Sequence, residues 1–94
     1  MTNYQFSEDA IRDLNEICDY IAQNNPRSAS NLFDAIRQKC KLVANFPNMG
    51  KRYERVRPSL RGFLVGDYIV FYYVYDQEIF IVRIVSGYRN LETL

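Results

Sequence analysis

The stretch LRGFLVGDYIVFYYVYDQEIFIVRIV, residues 60–85, decides the fold. Three runs rich in β-branched and aromatic residues, Leu60–Val65, Tyr68–Tyr75 and Ile79–Val85, are parted by Gly66-Asp67 and by Asp76-Gln77. Such runs suit a pleated, half-buried surface, and connections this short join antiparallel neighbours. The reading is a three-stranded meander. Just upstream, Phe46–Ser59 reads as a loop holding Pro47, Gly50 and a basic cluster.

Further upstream the apolar period lengthens from two to between three and four. Ser7 is a good N-cap, Glu8 and Asp9 suit the positive end of a helix dipole, and Ala10, Ile11, Leu14, Ile17, Cys18 and Ile21 form one stripe. Asn24-Asn25-Pro26 stops that helix and starts another, with Asn25 as cap and Pro26 at the first helical position. The second stripe is Ala29, Leu32, Phe33, Ala35, Ile36, Cys40, Val43 and Ala44, and Pro47 ends it. So short a connection implies an antiparallel helical hairpin. Asn3–Phe6 is a short candidate strand. The order β-α-α-β-β-β predicts an α+β fold, with the helical hairpin packed on one face of a small, mainly antiparallel sheet.

At 94 residues, 48% of them hydrophobic, the chain reads as one domain, 1–94, with an ordered core. No apolar run reaches the roughly 18 residues needed to cross a bilayer. The N-terminus has neither the basic nor the apolar region of a secretory signal. Two cysteines, Cys18 and Cys40, are too few for a disulfide framework and sit in helical stripes as small hydrophobes, so the expected compartment is the reducing cytoplasm. The chain has no histidine, which excludes Ser-His-Asp and Cys-His nucleophile pairs and the commonest metal ligand. No CxxC pair and no Gly-rich phosphate loop occurs. No catalytic residue, metal or cofactor is expected, and a binding protein is the better reading.

Net charge is only +1, but Lys51, Arg52, Arg55, Arg57 and Arg61 face a single nearby carboxylate, Glu54. Such a patch suits an acidic partner, either nucleic acid or an acidic peptide, against the plain alternative of a solvated loop. In the last strand, alternation assigns Phe80, Val82 and Ile84 to the helix face and turns Arg83 toward an open, otherwise apolar face that a partner would cover. Tyr88, Leu91 and Leu94 form a tail with little core left to join, which suits a docking surface.

The segments FSEDAIRDLNEICDYI, FPNMGKRYERVRPSLRG, DYIVFYYVY and IVRIVSGYRNLETL together resemble the ParE branch of the RelE/ParE toxins, over nearly the whole chain. The most specific pieces are Pro47 with Gly50, Val56-Arg57…Leu60-Arg61, and Arg83…Gly87-Tyr88-Arg89-Asn90-Leu91. The resemblance implies the toxin of a type II toxin–antitoxin module that inhibits DNA gyrase through its A subunit. It also implies a ParD-type antitoxin in a hetero-oligomer, operator DNA reached only through that antitoxin, and no membrane. Arg83, Tyr88, Arg89, Leu91 and Leu94 are the expected target surface. Leu14, Ile21 and Phe33, with Arg57 and Arg61 at the rim, are the expected antitoxin surface. One departure is Ser86, which stands where many ParE tails carry His. Within the superfamily the alternative is a RelE-type ribosome-dependent mRNA endonuclease, and outside it a non-toxic interaction module. Against the endonuclease pattern, Leu60 and Gly62 stand where lysines belong and Ile69 where an Arg belongs, while Arg89 matches and the chain ends at Leu94 before the terminal Tyr.

Overall fold

Both helix starts are made by the expected caps. Ala10 N–H donates to Ser7 Oγ at 3.0 Å and Ser28 N–H to Asn25 Oδ1 at 3.1 Å, each satisfying an amide that the first helical turn leaves without a partner. The computed structural model describes residues 3–88 and Leu91. Its elements are β1 (Tyr4–Phe6), α1 (Glu8–Ala22), α2 (Pro26–Asn45), a 3₁₀ turn at Pro47–Met49, β2 (Lys51–Arg52), β3 (Arg61–Val65), β4 (Tyr68–Tyr75) and β5 (Glu78–Ser86). The two-residue strand β2 lies inside the stretch read from sequence as loop, pairing Lys51 with Gly62 and Arg52 with Arg61.

The sheet runs β1-β5-β4-β3-β2, antiparallel except where β1 lies parallel to β5. Asp76 and Gln77 both have positive φ, 51° and 63°, the geometry a two-residue hairpin needs to match strand twist. One face meets the hairpin. Ala10 and Leu14 of α1 and Ile36, Cys40, Val43 and Ala44 of α2 pack on Phe63, Val65, Val70, Tyr72, Ile79, Ile81 and Ile84.

Two expectations are corrected here. Between β4 and β5 the register slips, so that Phe71 faces Arg83 while Tyr72 faces Ile81, and Val82 is an extra residue. That bulge breaks strict alternation. Ile79, Ile81 and Ile84 occupy the helix face, and Val82 packs on the other side. The far face is also not open throughout. Leu60, Ile69, Phe71 and Val85 form a second cluster there, with Tyr53, Val56 and Leu91 packed against it.

Candidate functional site

The basic segment is fixed from beneath by one tyrosine and one arginine. Tyr72 is fully buried in β4, and its hydroxyl donates to Pro47 O at 2.6 Å and accepts from Gly50 N–H at 3.0 Å. Burial pushes the phenol upward, opposed by the Gly50 hydrogen bond and by the charge of Arg61. Gly50 must be glycine, because a Cβ there would collide with the Tyr72 hydroxyl and ring. Arg61 donates through one guanidinium nitrogen to Gly50 O at 2.8 Å and Asn48 O at 3.0 Å. These bonds tie the 3₁₀ turn to the sheet and set where β2 begins. Arg61 is thereby half-buried beneath the turn, and its role at a partner's rim would share those carbonyls.

A second polar joint lies at the edge of β5. Asp13 Oδ2 accepts from Arg83 Nε at 2.7 Å and from Ile84 N–H at 2.9 Å, while Oδ1 accepts from Arg83 Nη2 at 3.3 Å. The two side chains are 14% and 26% exposed, so this pair is screened from water far more than an ordinary surface bridge. The Asp13 hydrogen bond drives the Arg83 pKa upward, against the desolvation that lowers it. Arg83 therefore does not stand on an open face, as the alternation implied. It holds α1 against the sheet.

Among the depressions that the described residues form, two contrast. On the hairpin, Cys18, Ala22, Ala29 and Phe33 floor a groove of about 460 Å³ edged by Asp19 and Asp34. Beside β2, Lys51, Arg52, Tyr53, Arg55, Val56 and Leu91 line a cleft of about 570 Å³. There the chain brings together what the sequence reading kept apart, the basic segment and the C-terminal Leu91.

Of the expected antitoxin residues, Phe33 lines the hairpin groove, Ile21 is half-buried and Arg57 is exposed. Leu14 is a correction. At 7% exposure it sits in the core, where its side chain has almost no surface to offer a partner. Of the expected target residues, Tyr88 is 87% exposed and Leu91 is half-buried against the second cluster, so Leu91 does have core to join. Arg89 and Leu94 lie outside the described residues. Sequence reasoning missed Tyr72 and Asp13. Asp13 carried a signal, since it sits three residues after Ala10 and beside Leu14, on the inward stripe of α1, where a carboxylate needs a cation. Tyr72 carried none.

Comparison with known proteins follows the same span. Residues 4–91 match the family model described as ParE toxin of type II toxin-antitoxin system, parDE. Toxin ParE3 of Caulobacter vibrioides is 29% identical over 85 residues, covering 90% of this chain and 82% of that protein. A solved structure titled as the chromosomal ParDE TA system from P. aeruginosa superposes with a TM-score of 0.77 at 22% identity, covering 92% of this chain and 96% of that one. That likeness shows the fold.

Proposed function

Because this chain belongs to the ParE toxin family of type II toxin–antitoxin systems, we propose that it inhibits DNA gyrase, through the A subunit, without catalysing a reaction. A ParD-type antitoxin neutralises it in a hetero-oligomer, and operator DNA is reached through that antitoxin. The whole chain acts as one toxin domain in the cytoplasm, where gyrase works.

The observation that carries the reading is what fills the positions at which RNA-cleaving relatives would bear cations. Leu60 and Ile69 are core residues, 1% and 5% exposed. Gly62 is buried, and a Cβ there would stand 2.9 Å from the Tyr53 ring and 3.1 Å from Ile69, so no lysine fits. Cleavage by 2′-hydroxyl attack needs a base, a cation on the phosphate and an acid for the leaving oxygen. Packing excludes those groups from all three positions.

The target surface is the C-terminal segment of the chain, with Tyr88, Arg89, Leu91 and Leu94, and Arg83 steadies β5, which precedes it. The antitoxin covers the hairpin groove at Phe33, with Ile21 beside it and Arg57 and Arg61 on the neighbouring rim. The test is supercoiling of relaxed plasmid by purified gyrase. Inhibition that the cognate antitoxin reverses is expected. Unaffected gyrase, together with site-specific cutting of translated message on ribosomes, would overturn the reading.

A further inference from the structure

We propose that Ser86 is a positioning residue of the target surface, holding Tyr88 outward as the side chain that meets the target protein. The inference rests on the reading of the C-terminal segment as that surface, and it assigns the described residues that build it.

The end of β5 is held at three points before the chain leaves the sheet. Ile84 and Val85 are buried, and Asp13 Oδ2 accepts from Ile84 N–H at 2.9 Å. Ser86 makes the last rung of the ladder between β4 and β5, opposite Tyr68. One residue on, Gly87 N–H donates to Asp67 O at 2.7 Å, which ties the exit of β5 to the turn between β3 and β4. Tyr88 N–H then donates to Ser86 Oγ at 3.2 Å. A serine hydroxyl that takes the amide two residues on closes a local turn in place of a main-chain carbonyl. The serine that stands where many ParE tails carry His is thus the residue that sets the direction of Tyr88.

Tyr88 is what this turn presents. At 87% exposure it gives almost no surface to the fold. Among the described residues its side chain has no hydrogen bond, ring contact or cation contact. Tyr75, at 72% exposure, differs, because its ring stands edge-on to Phe80 with centroids 6.4 Å apart. A tyrosine kept for the fold buries its ring, as Tyr72 does. Tyrosine carries a large apolar area and a polar tip on only two side-chain torsions, so it is enriched at hot spots and costs little entropy to immobilise. A main chain fixed beforehand lowers that cost further, and the saving appears as affinity. Ser86 supplies that fixing without touching the target itself.

The test compares the full chain with Ser86→Ala, Ser86→Thr, Tyr88→Ala and the Ser86→Ala/Tyr88→Ala double variant. Inhibition of supercoiling by purified gyrase should weaken about thirtyfold for Tyr88→Ala, the loss typical of a hot spot. Ser86→Ala removes one hydrogen bond and should weaken it about three- to tenfold, whereas Ser86→Thr keeps the hydroxyl and should restore it. Because Ser86 acts through Tyr88, adding Ser86→Ala to Tyr88→Ala should change nothing more. Amide exchange at Tyr88 should quicken in Ser86→Ala, while the thermal midpoints of all variants stay within about 4 °C. Three results would each overturn the proposal: Ser86→Ala inhibiting like the parent chain, a double variant worse than Tyr88→Ala by the Ser86→Ala factor, or a larger fall in the Ser86→Ala midpoint. Growth arrest on induced expression of the same chains needs no assumption about the target. Unaffected gyrase with arrest in the same order of variants would sink the gyrase reading and leave this inference standing. Arrest indifferent to Ser86 and Tyr88 would sink the inference.

Discussion

Replacing Tyr72 by Phe tests whether the basic segment is positioned by one hydroxyl. The ring stays, so the apolar packing around Phe63 is kept, and only the two hydrogen bonds are lost. Gly50 is buried, so its N–H is stranded without a partner, at a cost of about 1–3 kcal/mol. Pro47 O is less enclosed and regains water, and Arg61 still holds the carbonyls of Asn48 and Gly50, so the total should be about 2 kcal/mol. For a domain of this size each kcal/mol moves the midpoint by about 4–8 °C, which gives a drop of about 8–16 °C. Calorimetry measures that drop, and amide exchange at Gly50 reports whether the same bond is the cause. A loss below about 0.5 kcal/mol, or a Gly50 amide as protected as before, would refute the argument. Gly50→Ala should cost more, because the new Cβ meets both the hydroxyl and the ring, and its effect should not add to that of Tyr72→Phe since the two share one contact.

Asp13→Ala leaves the Arg83 guanidinium and Ile84 N–H without their acceptor and should destabilise by about 2–3 kcal/mol in urea, whereas Asp13→Asn keeps one acceptor and should cost less; equal losses would count against the pairing. Leu91→Ala should cost about 1–2 kcal/mol, and deletion after Asn90 should lower the thermal midpoint, because Leu91 seats on the second cluster; an unchanged midpoint would detach the tail from the fold. Burial holds the Cys40 thiol up at about 12 against an ordinary 9.0, so the folded state keeps a proton that the unfolded chain releases. Stability is therefore full below about pH 9 and falls as pH rises, by up to about 1.4 kcal/mol per unit. Denaturant midpoints from pH 8 to 10 should show the fall, and Cys40→Ala should flatten it; an identical slope would remove Cys40 as its source.

What the sequence could show was what repeats. Helix stripes, caps and the two hairpin turns are local and periodic, so Ser7, Asn25, Pro26 and the meander were legible from residue order alone. The candidate surfaces depend on breaks in that periodicity. A single extra residue at Val82 moves Ile79 and Ile81 to the helix face and brings Arg83 within reach of Asp13, seventy positions away in sequence. Nothing in a run such as IFIVRIV marks which residue is the extra one, because a bulge is chosen by the fit of the whole sheet to α1. The basic segment shows the same limit from the other side. Its five cations are equal on paper, yet Arg61 is drawn under the turn by two carbonyls while Lys51, Arg52 and Arg55 stay in solvent around Tyr53 and Leu91. That division follows from Tyr72 and Gly50, which bring the turn's carbonyls within reach of Arg61 and are 22 residues apart. Charge composition therefore marked the basic segment, and only the hydrogen bonds beneath it separate the cation that builds the surface from those left in solvent.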